Sequence, residues 1–420
     1  MARKEKKSSV TPAREVAGPP DFPSAQPGLG CADLSELARS FWAKSGDGGN
    51  WLSVVQHLMD AADIAGFLFD CYLSEHHRRL MASVWGGSQA KARATFVFLA
   101  GGHDAGKVSP QFACQRADLA QLIRNQGLAV MRKGDYSERS FLPHGLVSQF
   151  ALQEEIAAGG GDGSRALQWA ILVGVHHGRY PDSGAVYVAR QQYRTQEGSR
   201  EDDPRWGQAR SEILRWMAAR SGFPLIAPGT ALPELPIAVA SAYASALVIA
   251  DWIASNEDYF PLRPRPVAET GKLSIDGYSE LTADQQRDRV GRAWKRAAFP
   301  SPLRIPATHT GEAADFYRHR FGWPASYRPT EAQRAAIEIV TREDPDLMIV
   351  EAPPGSGKTE LAFAAAEVLM RARGLQGVFV ALPTQATTNA MFERVTAWLT
   401  SILGDEPQKL GIQLAHGKNS

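Results

Sequence analysis

The segment Ala352-Pro353-Pro354-Gly355-Ser356-Gly357-Lys358-Thr359 constrains the fold most, because of what flanks it. The apolar run Asp346–Ala352 (DLMIVEA) precedes it and reads as a buried strand. The helical pattern ELAFAAAEVLMRARG follows and closes on Gly374, and Gly377–Pro383 (GVFVALP) reads as a second strand. Strand, glycine loop, helix and strand in that order predict a β-loop-α-β unit of a parallel α/β sheet. In that setting the loop is a phosphate cradle. Gly355 and Gly357, with Ser356 between them, let backbone N–H groups approach phosphate oxygens, and the helix N-terminus adds the positive end of its dipole. Lys358 is expected to reach the β/γ-phosphates of ATP, and the Thr359 hydroxyl to hold Mg²⁺.

A length of 420 residues suggests two to three domains. Residues 1–30 are rich in Pro, Gly, Ser and charge and read as a disordered basic tail. Residues 31–260 read as mostly helical, with an exposed insertion over 181–209. Residues 261–326 read as a linker with a basic helix, in which Arg287, Arg289, Arg292, Lys295 and Arg296 face only Asp288. That helix reads as a solvated face or the lining of a nucleic-acid channel. Residues 327–420 form an incomplete α/β lobe around the phosphate loop. With 46 Lys+Arg against 45 Asp+Glu, the net charge of +1 leaves any nucleic-acid surface to local patches. Cys31, Cys71 and Cys114 are scattered, which gives neither a disulfide framework nor a CxxC pair and favours a cytoplasmic location. The apolar run Leu235–Ala250 is shorter than the ~20 residues of a spanning helix. It reads as a buried core helix, and no membrane partner is expected.

The helical region carries a second pattern. His57 lies within VVQHLMDAADIA. His103-Asp104 ends TFVFLAGG and precedes Gly106-Lys107. His144 opens HGLVSQFAL, His176-His177 ends AILVGV, and Asp251 follows ALVIA. A histidine or carboxylate at the end of a strongly apolar run is costly to desolvate unless paired or metal-bound. Imidazole with carboxylate suits divalent first-row metals. Two such ions ~3.5–4 Å apart would clamp a phosphodiester. Taken singly, His57 reads equally as a core histidine, His144 as a helix start and His176-His177 as a surface turn.

The order His, His-Asp, Asp resembles HD-type metal phosphohydrolases. The fuller set is similar to the CRISPR-associated nuclease-helicase family of type I systems. It comprises QHLMDAADIA, GGHDAGKVSPQFACQ, LPHGLVSQF, VGVHHGRYP, IADWIASNEDYF, YRPTEAQ, EAPPGSGKTELAF and ALPTQATTNAMFERV. Tyr327–Gln333 resembles the helicase Q motif, in which a Gln, here Gln333, reads adenine. Ala381–Gln385 resembles the helicase segment that contacts the nucleic-acid backbone.

The resemblance implies a mainly α HD-domain fold followed by a partial RecA-like P-loop lobe. It implies single-stranded DNA cleavage with two divalent transition metal ions (Fe, Mn, Co or Ni). By position, His57, His103, Asp104, His144, His176, His177 and Asp251 correspond to the metal site. Asp104 would bridge the ions and Lys107 would stabilise phosphate charge. The implied partner is a Cascade-type RNA-guided surveillance complex, whose guide supplies specificity.

The loop departs from GxxxxGK[ST] at its first position, Ala352, an alanine form common in superfamily 2 helicases, and no DExH or DExD box follows Thr359. Asp405-Glu406-Pro407 lacks the preceding apolar strand. No ATP-driven unwinding is therefore expected of this chain alone. Two other readings compete: an HD phosphohydrolase acting on nucleotides, and a non-catalytic docking module for the surveillance complex.

Overall fold

The computed structural model describes residues 33–414, apart from 47–48, 136–141, 180–181, 198–202, 224–231, 269, 277, 300–304, 306–311, 404–411 and 413. The expected tail and the Asp405-Glu406-Pro407 segment lie outside the described residues. The chain divides into two units, one of residues up to 66 with 93–298, the other of 67–92 with 299 onward.

In the first unit, β1 (Trp42–Ser45) and β2 (Asn50–Ser53) form an antiparallel hairpin, which β3 (Arg263–Pro264) extends in the order β1-β2-β3. Trp42 and Trp51 pack with Leu119, Leu122 and Ile275. Helix α1 (Val54–Phe67) follows β2 without a loop. The Val54 N–H donates to the Phe41 carbonyl at 2.8 Å, and the Ser53 hydroxyl accepts from the Gln56 N–H at 3.1 Å, capping the first turn. Gln56, His57 and Asp60 of α1 are buried, so each needs a partner inside the protein.

Helices α2 (Gln89–Gly102), α3 (His144–Ala158), α4 (Gly163–Gly174), α5 (Ser183–Glu197), α6 (Arg205–Ser221) and α7 (Ile237–Ser255) follow. The described part of the expected exposed insertion at 181–209 is α5, most of whose surface is exposed, and the start of α6. Ala189 and Tyr193, four residues apart, pack on Leu146, Val147 and Phe150 of α3, and Trp206 and Arg210 are buried. The Arg- and Gln-rich composition hid that apolar stripe. Helix α7 is long and apolar enough, by length and composition, to cross a bilayer. Its stripe Val239, Ala242, Tyr243, Ala246, Leu247, Ala250 and Ile253 is buried at helical spacing, whereas Ile237 and Trp252 are 81% and 67% exposed. It is a core helix with one solvent face.

The basic helix expected within 261–326 is α8 (Ala283–Ala297), but it packs into the first unit by one face rather than lying in a linker. Gln286, Arg289, Val290 and Ala293 form a buried stripe. Arg289 Nε donates to both Asp60 oxygens at 3.1 Å, and Nη2 donates to Asp60 Oδ2 at 2.9 Å. The Gln286 amide donates to Asp60 Oδ1 at 3.1 Å and to Asp63 Oδ2 at 2.9 Å. Residues 261–298 belong to the first unit. Arg287 stays exposed and pairs with Asp284.

In the second unit, α9 (Ala313–Phe321), α10 (Glu331–Arg342), α11 (Lys358–Arg373) and α12 (Gln385–Leu403) pack together, and the phosphate loop leads into α11. Buried Arg320 of α9 pairs with buried Glu367 of α11 at 2.5 Å. The Trp398 indole N–H of α12 donates to the same carboxylate at 3.3 Å. The two expected strands, 346–352 and 377–383, carry no ladder among the described residues. An apolar run becomes a strand only when a neighbour pairs with its edge. Here Leu347, Ile349 and Phe379 stand 77%, 78% and 91% exposed.

Candidate metal centre

Chain segments far apart in sequence deliver the donors. His57 lies in the first turns of α1. His103 and Asp104 follow the end of α2, His144 is the first residue of α3, and His176 and His177 follow α4. Asp251 sits in the last turns of α7.

Asp104 is the junction. Its Oδ2 lies 3.0 Å from His57 Nε2, 3.4 Å from His103 Nε2 and 2.6 Å from Lys107 Nζ. Its Oδ1 lies 3.2 Å from His144 Nε2 and 3.3 Å from His176 Nε2. Asp251 Oδ1 lies 3.2 Å from His103 Nε2 and 3.8 Å from His57 Nε2, while His177 Nε2 lies 3.0 Å from His144 Nε2. The donors fall into two sets able to hold an ion: His57, His103, Asp104 and Asp251; and His144, His176 and His177. All seven expected ligands are thus brought together.

Backbone contacts aim the imidazoles. His103 Nδ1–H donates to the Ala100 carbonyl at 2.7 Å, and His176 Nδ1–H donates to the Val173 carbonyl at 2.6 Å. A carbonyl only accepts, so each Nδ1 carries a proton and each Nε2 is turned to the centre.

Burial divides the site. His57, His103 and His176 are inaccessible, whereas His144 is half-buried and His177 is exposed, so the centre opens to solvent on that side. Burial pushes the His57 imidazole down to about 3, leaving it neutral at pH 7. Burial also works against charge on His103, but the carboxylates of Asp104 and Asp251 outweigh it and raise that imidazole to about 10. Against its own desolvation, Asp104 is held well below the usual carboxylate range by Lys107 and His103.

The fit to metal ions rests on the orphaned atoms. Asp104 Oδ1 and His176 Nε2 are buried with no hydrogen-bond partner in the described structure, yet lie 3.3 Å apart. Buried polar atoms are normally bonded. Converging, unbonded N and O donors of this kind match first-row divalent ions.

Two glycines allow the convergence. A Cβ on Gly145 would meet the Gly174 carbonyl oxygen at 3.0 Å and His176 Cε1 at 3.3 Å, so α3 starts flush against the end of α4. A Cβ on Gly106 would lie 2.0 Å from the His144 carbonyl oxygen and 2.6 Å from Ser148 N. The Gly106 N–H instead donates to the Ser148 hydroxyl at 2.8 Å. Because the two nearest clashing atoms belong to the backbone, Gly106→Ala must push the Asp104 loop away from His144. The expected result is a loss of ~1–3 kcal/mol in stability and weakened Mn²⁺ binding, read by thermal melting and calorimetric titration. A variant that melts and binds as the parent would refute this account of the glycine.

The nucleotide-site residues lie together in the second unit. Gly355 and Gly357 both have positive φ, 77° and 78°, and Gly357 caps α11. Lys358 Nζ donates to the carbonyls of Ala352 and Pro353, and Thr359 Oγ1 accepts from Arg394 Nη1 at 3.2 Å. The Ser356 hydroxyl is buried with no hydrogen-bond partner in the described structure. Gln333 is fully buried. It forms a capping box with Thr330, accepts from the Tyr327 hydroxyl at 2.7 Å and donates to the Gly357 carbonyl at 3.3 Å. It ties α10 to the phosphate loop and presents no exposed edge to a base. The Thr-x-x-Gln spacing at Thr330–Gln333 is the sequence signal for that box.

Comparison with known proteins agrees with both halves. A family model described as "Cas3, HD domain" matches residues 42–260, and one of DEAD/DEAH box helicases matches residues 330–417. The CRISPR-associated nuclease/helicase Cas3 of Streptococcus thermophilus is 29% identical over 404 residues, covering 90% of this chain and 40% of that protein. The endonuclease/helicase Cas3 of Thermus thermophilus is 30% identical over 398 residues, covering 91% and 38%. A crystal structure described as a CRISPR-associated protein superposes with a TM-score of 0.69 at 28% identity, covering 89% of this chain and 39% of the other. The T. fusca Cas3-ATP structure shares the fold, with a TM-score of 0.63 at 23% identity. The chain therefore spans about two fifths of the length of these relatives.

Proposed function

Because this chain belongs to the Cas3 HD-domain family over residues 42–260, we propose that its first unit is a metal-dependent single-stranded DNA endonuclease acting in CRISPR defence. The observation that carries the proposal is Asp104, whose two oxygens each face a different set of histidines. Its two ligand sets would hold two divalent transition ions, which when bound polarise a phosphodiester and supply a nucleophile from water.

The chain's own residues do the rest. Neutral His57 places no positive charge beside a cation. His103 and His176 keep Nε2 aimed inward through their carbonyl partners. Lys107, now on Asp104 Oδ2, sits where its ammonium would meet the charge of an incoming phosphate. The strand would enter past exposed His177 and half-buried His144, since the other ligands are closed off. A displaced strand opened by an RNA-guided surveillance complex is the substrate that the family resemblance favours. The second unit would bind ATP with Mg²⁺ through Gly355, Gly357, Lys358 and Thr359.

The test is cleavage of labelled circular single-stranded DNA with Mn²⁺, Ni²⁺ or Co²⁺ and with EDTA, each with and without ATP. Cleavage that needs metal and ignores ATP is expected. Hydrolysis of free nucleotides without cutting DNA would favour a nucleotide phosphohydrolase instead. Lys358→Ala is expected to leave the cleavage rate unchanged while abolishing ATP binding. A large fall in cleavage would tie the phosphate loop to the nuclease chemistry.

A further inference from the structure

The carboxylate of Asp251 is held from behind. The Ser255 hydroxyl, one turn further along α7, donates to Asp251 Oδ1 at 2.8 Å. That oxygen is the one lying 3.2 Å from His103 Nε2 and 3.8 Å from His57 Nε2. Ser255 is also the last residue of α7, where carbonyls have no partner within the helix. Lys44 supplies one: its Nζ donates to the Ser255 carbonyl at 2.6 Å. A cation at a helix C-terminus also meets the negative end of the dipole.

Lys44 belongs to β1 and pairs in register with Leu52 of β2, which runs directly into α1 and His57. One short hairpin therefore fixes both the start of the helix bearing His57 and the end of the helix bearing Asp251. Lys44 is half-buried. Burial, helped by the charge of Lys107 and opposed by Asp251 and Asp104, lowers it to about 8. A lysine serving only as a solvated surface tether would keep its head group in water.

We propose that Lys44 and Ser255 are positioning residues for the metal centre: Lys44 clamps the end of α7, and the Ser255 hydroxyl sets the orientation of Asp251, so that the pair tunes one of the two cation positions. The proposal rests on the metal reading above. Hydrogen-bonded partners of metal ligands typically change affinity by roughly 10–100-fold when removed.

The experiment is calorimetric titration of Mn²⁺ into the full chain, with melting in EDTA as a control. Ser255→Ala is expected to weaken one Mn²⁺ by roughly 10–100-fold and leave the other unchanged. Ser255→Thr, which keeps the hydroxyl, should restore it, and Lys44→Met should shift the same ion in the same direction. Melting in EDTA should match the parent for all three. Parental affinities in Ser255→Ala would overturn the proposal. So would an equal fall at both positions accompanied by a lower melting temperature, which would mark a purely structural role. A parent chain that binds no Mn²⁺ would overturn the metal reading itself, and this proposal with it.

Discussion

Asp104→Asn is expected to abolish metal-dependent cleavage, by on the order of 10³-fold or more, since losing a metal's several kcal/mol of charge stabilisation costs about that much in rate. The reason is geometric. Asp104 Oδ1 and Oδ2 face different histidine sets, so the change removes an anionic donor from both positions at once. Asparagine keeps the shape, so the fold should survive. The amide leaves Lys107 without its 2.6 Å counter-ion, and Lys107→Met in the same chain should recover some stability but no cleavage. His103→Ala should lose cleavage likewise, because its Nε2 lies between Asp104 and Asp251. Single-turnover cutting of circular DNA with Mn²⁺ measures both variants. Cutting by Asp104→Asn at the parental rate would remove the carboxylate from the centre of the mechanism.

Arg289→Ala is expected to be the most destabilising single change in the first unit, at about 3–5 kcal/mol. It strands the Asp60 carboxylate, which has no solvent exposure and whose protonation burial already favours against the pull of Arg289. A loss of that size corresponds to a fall of roughly 6–20 °C in melting temperature for a domain of this size. Replacing both partners with apolar residues, as in Asp60→Leu with Arg289→Met, should recover most of it, because the cost lies in the unpaired charge. Thermal and urea unfolding would check this. A single variant as stable as the parent would mean that Asp60 takes up its proton or finds water at little cost.

These two sites differ in how far the sequence reveals them. The seven candidate ligands were legible because each lies in or beside an apolar run, where an unpaired polar group is expensive, and because their order matches the family resemblance. Asp60 sits three residues from His57 in the same run, but its partner Arg289 is 229 residues away, and nothing local marks the pair. Local charge pattern made α8 look solvated, because one buried arginine among exposed ones leaves no trace in composition. The hairpin had a signal, Gly46-Asp47-Gly48-Gly49 between two tryptophans, which reads as a turn between strands. The runs at 346–352 and 377–383 fail the other way. Apolar content suggests a strand, but pairing depends on neighbours that no local window contains. Lys44 and Ser255 matter only through α7's end and were invisible for the same reason.

The α1–α8 lock also sets where this molecule can be cut. A fragment of the first unit ending near residue 260, at the edge of the matched family region, would discard Arg289 and Gln286 and leave Asp60 buried without its guanidinium partner. Such a fragment should express as aggregates, whereas one carried through residue 298 keeps the pairing. Moving this unit into another chain therefore requires α1 and α8 to travel as a matched set.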